Sequence, residues 1–327
     1  MAVVALLAVA LGTGLLASLV DLNRISAVLL KADLGALAGA SALLVLGLIA
    51  YAARWRAILG EKPSWLHTFH ASNIGHAGNL LTPIRLGEPA RVVAIARSPR
   101  VTLPEATASF GVERMFEQLL RLVALAAAVA LGARLEVSAA TWTAGGLTLA
   151  AATAGVLVLV ARREQVVRAG SPLLARLPGI TEERARGCLA GSLGNLAGMA
   201  SPGRFFQVLG WSLLTWALFW AYHYLTLTAL GPAFSAEQAP ALALAALALA
   251  PPSAPTAPGL YHASIAAPLA ALGFDGDSLA AYAILLHLLQ MAWMFAFGLW
   301  GMSAIGLKLG DMRTKNARAS SNQAGPG

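Results

Sequence analysis

Charged residues are scarce in this chain of 327 residues. Only 12% are Asp, Glu, Lys or Arg, whereas 58% are hydrophobic, and the mean hydropathy is +0.69. Soluble globular proteins carry about 25% charged residues. The composition therefore excludes a soluble enzyme of this size and indicates a polytopic membrane protein.

Cysteine is also nearly absent. The single Cys188 excludes an intramolecular disulfide framework and a cysteine-based metal cluster. The sequence has no Walker A motif, no G-x-S-x-G and no H-E-x-x-H. His67, His70 and His76 have no acidic or cysteine partner in their segment before Glu88, so a zinc site is not expected. We expect no cofactor, no metal and no enzymatic activity.

Long apolar runs are what the sequence does contain. A membrane-spanning helix needs about 20 predominantly apolar residues. No Lys or Arg precedes the first run, which therefore indicates a retained span and not a signal peptide. The pattern predicts an all-α polytopic membrane protein with about six spans, at about 2–20, 35–53, 104–132, 141–161, 205–230 and 278–307.

Two further apolar regions, 65–100 and 239–273, are too interrupted to cross a membrane. The first is broken at Thr82-Pro83, and the second consists of two short runs on either side of a proline-rich stretch. Broken backbone at membrane depth is tolerated only inside protein or along a watery cavity. Both regions are predicted to be re-entrant helical hairpins, with breaks at Pro83, Gly87, Pro255, Pro258 and Gly259.

Positive charges orient this arrangement. The segment 162–204 holds seven Arg and is assigned to the cytoplasm. From that point, alternating sides place 18 of the 23 Lys and Arg inside and 3 outside, with two more inside 104–132. The span 35–53 ends before Arg54, which is counted in the following loop. Both termini are predicted to be cytoplasmic, and the net charge of +8 reports topology and contact with anionic lipid, not with nucleic acid.

The order span, span, hairpin, span occurs twice, in opposite orientations. This predicts a 3+3 inverted repeat, with half-repeats of about 1–132 and 141–307, in a single membrane domain 1–309. Residues 162–204 form a cytoplasmic connector that contains a helix over 183–198, and 310–327 are a disordered tail. Inverted repeats with broken helices are typical of alternating-access transporters.

The densest polar cluster surrounds the first hairpin and the third span. Ionisable groups in apolar sequence face a cavity or pair with one another. Spacing of four places Glu113 with Glu117, and Glu117 with Arg121, on one helix face. One hypothesis is a lipid phosphate site with headgroup ligands Arg85, Arg91, Arg114, Asn79 and Thr82, oriented by Glu88, Glu113, Glu117 and Arg121. The alternative is a salt-bridge network that locks the hairpin against the third span.

These residues carry a family resemblance. The run N-L-L-T-P-I-R-L-G-E-P-A-R (79–91), followed by Glu113-Arg114, resembles the flippase-like family built on the transmembrane region of lysylphosphatidylglycerol synthase. The resemblance implies a bacterial inner-membrane protein that moves or holds an anionic lipid. The second motif of that family departs here: Pro258-Gly259 is followed by Leu260, and His287 stands near the expected Arg. The soluble aminoacyltransferase domain is absent, so synthase activity is not expected.

The leading hypothesis is a flippase-like protein that translocates a phospholipid or a polyprenyl- or terpenoid-derived lipid from the cytoplasmic leaflet. Two alternatives remain. One is a membrane-embedded enzyme acting on a lipid phosphate, with Glu113 or His76 as base, and the other is a non-transporting subunit. Such a subunit would recruit a cytoplasmic lipid-synthesising partner through 162–204.

Overall fold

The computed structural model describes residues 27, 29–81, 86–131, 139–176, 181–198, 201–231, 238–249, 269 and 276–306. Within these ranges the regular secondary structure is helical and contains no strand, as the sequence predicts. The ten helices of this part are α1 Leu34–Ile58, α2 Trp65–Leu81, α3 Gly87–Ile95, α4 Leu103–Ala130, α5 Ala139–Ala161, α6 Arg163–Leu174, α7 Glu182–Gly198, α8 Pro202–Thr228, α9 Ala239–Leu249 and α10 Gly276–Ile305.

Three helices, α1, α8 and α10, are long and apolar enough to cross a membrane. The shortest has 25 residues, which at about 1.5 Å per residue exceeds the thickness of a bilayer's hydrocarbon core. The membrane character of the protein is therefore confirmed. Helices α4 and α5 coincide with two further predicted spans, and the predicted first span 2–20 lies outside the described residues. The total of six spans stays a prediction.

Local sequence signals fix the helix starts that matter for the site. The Asp33 side chain caps α1 by accepting hydrogen bonds from the amides of Gly35 and Ala36, at 2.8 and 3.3 Å. Helix α4 begins with a capping box, in which Thr102 and Glu105 exchange hydrogen bonds between side chain and backbone. These caps set the register of the two helices that carry most of the charged cluster.

The centre of the fold is the antiparallel packing of α1 against α8. The Phe219 ring of α8 lies over Gly47 of α1, and at one end of the pair Arg204 donates to the carbonyls of Ala57 and Ile58, at 3.1 and 2.6 Å. The Ile58 carbonyl, which lacks an intrahelical partner at the end of α1, is satisfied in this way, and the Ala57 carbonyl accepts from both Arg204 and the Gly60 amide. Helix α2 packs against α10, and α9 packs against α4.

Helices α2 and α3 lie side by side within the predicted hairpin 65–100. Their approach is so close that a Cβ atom on Gly87 would overlap the carbonyl oxygen of Gly75, so only glycine fits at the start of α3. Gly87, one of the predicted break residues, is the first residue of α3. The break at Pro83 lies outside the described residues, and the re-entrant path of the hairpin stays a prediction.

The connector contains two helices, α6 and α7, packed on each other. The helix predicted over 183–198 is confirmed as α7. The proline-rich break of the second predicted hairpin, including Pro255, Pro258 and Gly259, lies outside the described residues. So does the predicted disordered tail 310–327.

A matched pair of glycine substitutions tests the contact between α2 and α10. A Cβ atom on Gly298 of α10 would overlap that of Ala77 and lie 3.1 Å from the Asn73 carbonyl oxygen. We expect Gly298→Ala to destabilise the protein by about 1–3 kcal/mol through overpacking. Gly210 of α8 has open space around the same position, so Gly210→Ala should be neutral or slightly stabilising. Thermal unfolding in detergent measures both, and equal shifts would contradict the packing.

Candidate functional site

The Glu113 carboxylate of α4 is the centre of a buried network of charges. Its side chain is 0% exposed and accepts hydrogen bonds from two other helices. Arg54 of α1 donates to Oε1 at 2.8 Å, Arg91 of α3 donates to Oε2 at 2.9 Å, and the Tyr51 hydroxyl of α1 also donates to Oε1. One carboxylate thus joins α1, α3 and α4.

Helical spacing explains how α1 reaches this carboxylate. Tyr51, Arg54 and Trp55 are three and four residues apart, so they share one face of the helix. The Trp55 indole nitrogen donates to the Ser109 hydroxyl at 2.9 Å, one turn before Glu113 on α4. This bond fixes the position of α1 along the axis of α4 and places Arg54 opposite Glu113.

The outer half of the network is built around Arg114. This guanidinium bridges Glu88 of α3 at 2.7 Å and Glu117 of its own helix at 2.6 Å. Glu117 also pairs with Arg54 at 3.0 Å. On α3, the Arg91 Nε lies 3.0 Å from a Glu88 oxygen as an ion pair without hydrogen-bond alignment. Three arginines and three glutamates therefore alternate, with no net charge.

Exposure rises from one side of the network to the other. The side chains of Arg54 and Arg91 are 1% and 3% exposed, whereas those of Arg114 and Glu88 are 25% and 21% exposed. A buried charge must be paired and hydrogen-bonded to be tolerated, and the inner groups meet this condition. The Arg114–Glu88 pair is the side of the network that a ligand can reach.

Aromatic rings enclose the arginines. The Arg91 guanidinium carbon lies 4.9 Å from the Trp55 ring centroid and 5.0 Å from that of Phe110, and Arg114 lies 4.7 Å from Phe110. Such cation–π contacts stabilise guanidinium groups away from water. Phe110 contacts both arginines and separates the buried one from the accessible one.

The structure brings together five of the residues predicted for the site, namely Glu88, Arg91, Glu113, Arg114 and Glu117. Arg121 lies further along α4, where it donates to the Ala248 carbonyl of α9 at 2.9 Å. Asn79, at the end of α2, lies against Gly87. Arg85, Thr82 and Pro83 lie outside the described residues. The headgroup roles of Arg85, Arg91, Arg114, Asn79 and Thr82 stay predictions.

Sequence reasoning missed Arg54. Its assignment to a loop is wrong, because α1 continues to Ile58 and buries Arg54 inside the helix bundle. The spacing of three residues between Tyr51 and Arg54 was the signal that could have found it. With Arg54 included, the three glutamates of the network have three partners among the described arginines.

One histidine singled out in the sequence lies beside the network. The half-buried His76 ring lies 5.0 Å from the Tyr51 ring, between centroids. In the second half, buried His223 shares a hydrogen bond of 2.6 Å with the Tyr282 hydroxyl. Within the part of the chain that the structure describes, no group of three or more His, Cys, Asp or Glu is arranged to hold a metal ion.

A family model described as the lysylphosphatidylglycerol synthase TM region matches residues 3–298. The chain belongs to this family. The match covers all residues of the charged network. No curated protein and no solved structure matches the chain.

Removing the central charge tests the network. We expect Glu113→Gln to destabilise the protein by about 3–5 kcal/mol, because it leaves buried Arg54 and Arg91 without full compensation. The control is Glu182→Gln, which removes an exposed 3.8 Å pair with Arg186 worth about 0–1 kcal/mol. Equilibrium unfolding in mixed micelles measures both changes. If Glu113→Gln lowers the free energy of unfolding by no more than the control does, the charges are not buried together.

Proposed function

We propose that the protein binds an anionic lipid from the cytoplasmic leaflet and translocates it across a bacterial inner membrane. Membership of a lipid-related membrane family supports this proposal. The observation that carries it is Arg114, which lies at the accessible edge of a buried, neutral charge network and bridges two helices. A guanidinium in this position is suited to bidentate binding of a phosphate.

Binding begins with an exchange of partners. A lipid phosphate that approaches Arg114 competes with the Glu88 carboxylate, which is 2.7 Å away and part-exposed. Both are oxygen anions, so the phosphate replaces the carboxylate without leaving Arg114 unpaired. Arg85 and Thr82, in the predicted hairpin break, are proposed as further headgroup ligands, together with Asn79 at the end of α2.

The exchange also loosens a contact between helices. Glu88 belongs to α3 and Arg114 to α4, so a phosphate that takes Arg114 removes one of the ion pairs that join these helices. Arg91 still joins α3 to Glu113 and keeps the hairpin attached at its inner end. We therefore propose that the hairpin has two positions relative to α4. A lipid that binds one of them more tightly shifts the equilibrium toward that position.

The pattern of helix packing supports the inverted repeat that alternating access requires. In the predicted repeat, α1 corresponds to α8, α2 to α9 and α4 to α10. The contact of α2 with α10 then corresponds to that of α9 with α4, and the contact of α1 with α2 corresponds to that of α8 with α9; all four contacts are present. The contact between α1 and α8 corresponds to itself. Gly47 and Phe219, which meet in that pair, differ by 172, the same offset that separates Pro83 from Pro255 and Gly87 from Gly259.

The two halves differ in charge. In the first half, a hydrogen bond between Tyr51 and Glu113 joins α1 to α4. In the second half, a hydrogen bond between His223 and Tyr282 joins the corresponding helices, α8 and α10. The second contact carries no acidic group. The headgroup is therefore proposed to bind in the first half, and the second half is proposed to supply an uncharged path.

The alternative of an enzyme with Glu113 as base receives no support from this geometry. Both oxygens of Glu113 accept hydrogen bonds, and the carboxylate is enclosed by Tyr51, Arg54 and Arg91. A general base must reach the proton that it removes. Glu113 instead serves to hold the arginines in place.

Transport by purified protein in liposomes tests the proposal. A fluorescent phosphatidylglycerol is followed by its accessibility to a membrane-impermeant quencher. We expect Arg114→Ala to slow its translocation by about tenfold or more, because hydrogen bonds to a charged group are lost. Arg100→Ala is the control, since Arg100 is exposed and lies on the turn before α4. Translocation by Arg114→Ala at the wild-type rate would refute the proposal.

A second variant separates competition from general damage to the network. Glu88→Gln removes the carboxylate that competes for Arg114 while Arg91 keeps its pair with Glu113. We expect this variant to bind phosphatidylglycerol more tightly than wild type, measured by lipid titration of the purified protein. Weaker binding would show that Glu88 supports the headgroup and does not compete with it.

A further inference from the structure

A basic cleft lies between the two helices of the connector, away from the charge network. It has a volume of about 510 Å³, and its walls include Arg163 and Arg168 of α6 and Arg186 of α7. Binding pockets for small molecules have volumes of about 300–1,000 Å³. The cleft is therefore large enough for the phosphate and glycerol groups of a lipid headgroup.

Each wall of the cleft is one face of a helix. On α7, Arg186 is followed by Ala190, Leu193 and Gly194 at helical spacing, which gives a charged mouth over a small, apolar floor. On α6, Val167 continues that floor between the two arginines. The buried Leu193 closes it. The arrangement places guanidinium groups around a space that no side chain fills.

The charge of the cleft is unbalanced. Three arginines face it against one acidic residue, Glu164, whose place in the first turn of α6 stabilises that helix end. Arg186 lies 3.8 Å from exposed Glu182, and within the described ranges Arg163 and Arg168 form no ion pair. The excess of positive charge points to an anionic ligand, and the planar guanidinium groups suit a phosphate.

Chain connectivity places the cleft at the membrane surface. Arg163 follows the end of α5, a predicted span, by two residues. At the other end of the connector, α7 leads within four residues into α8, which is long and apolar enough to cross a membrane. Arginines at such a position lie at the level of lipid headgroups, where anionic lipids attract them.

The predicted span that leads into the connector exposes apolar side chains near its end. The last turns of α5 expose Leu157, Val158 and Leu159, with 62%, 55% and 40% of each side chain accessible. They precede Arg163 by about one turn of helix, or about 6–9 Å. A lipid with its phosphate between the arginines can therefore lay its acyl chains along α5, which free phosphate cannot do.

We propose that this cleft is a binding site for an anionic phospholipid headgroup, separate from the network around Arg114. Its ligand is a lipid that stays at the surface, held by Arg163, Arg168 and Arg186 and by apolar contact with α5. The proposal does not depend on the proposed translocation, because none of these residues belongs to that network.

Native mass spectrometry of the full chain in detergent, with added phosphatidylglycerol, tests the cleft. Measurements are made in an Arg114→Ala background, so that bound lipid reports the cleft and not the proposed transport site. We expect Arg168→Gln with Arg186→Gln to lower bound phosphatidylglycerol by about tenfold. Arg176→Gln is the matched control, because it removes an exposed charge from the same connector outside the cleft. Unchanged binding in the double variant, or an equal loss in the control, would overturn the proposal.

Two further arms identify the ligand. Phosphatidylcholine, which has no net charge, should be retained less than phosphatidylglycerol. Excess inorganic phosphate should leave most of the phosphatidylglycerol bound, since the acyl chains add apolar contact. Full displacement by inorganic phosphate would show a site for free phosphate and would overturn the assignment to lipid. Unfolding temperatures equal to that of the Arg114→Ala parent establish that the surface substitutions leave the fold intact.

Discussion

The structure depends on one buried carboxylate. Glu113 holds the guanidinium groups of Arg54 and Arg91, and through them α1, α3 and α4 meet at one point. In a low-dielectric interior, an ion pair repays the cost of removing charges from water only when its geometry is good and its remaining hydrogen-bonding groups are satisfied. The Tyr51 hydroxyl adds a hydrogen bond to the carboxylate, and the Trp55 and Phe110 rings lie against Arg91. The Nε groups of Arg54 and Arg91 are buried without a hydrogen-bond partner among the described residues. The helix register, the hairpin position and the accessible arginine all follow from this contact.

The network has a closed inner part and a part-exposed outer part. Its inner pairs are closed to solvent and join helices, whereas its outer pair, Arg114 with Glu88, is part-exposed. The sequence allowed either a structural lock or a ligand site. The inner pairs form a structural lock, whereas the part-exposed outer pair is where the proposed anion would bind. Because Arg114 already has a carboxylate partner, no unpaired charge is held inside the membrane before the proposed ligand arrives.

Much of this arrangement could be predicted from local signals. Apolar runs located the long helices, and a spacing of four placed Glu113 and Glu117 on one face. Glycine followed by Glu88 and proline marked the start of α3. Arg54 could not be assigned in the same way, because an arginine at the end of an apolar run suits an interfacial loop equally well. The continuation of α1 to Ile58 is supported by Arg204, which satisfies its last carbonyls from a helix distant in sequence. The partner of Arg121 is equally non-local, since Ala248 belongs to the second half of the chain.

The balance of three arginines and three glutamates has an electrical consequence. Moving one elementary charge through a membrane potential changes its free energy by about 2.3 kcal/mol per 100 mV. A group of side chains whose charges sum to zero exchanges almost no such energy with the field when it shifts as a unit. Movement of α1, α3 and α4 together, with the network intact, is therefore nearly voltage-independent. The charge on a bound lipid would then be the main component of the complex on which the membrane potential does work.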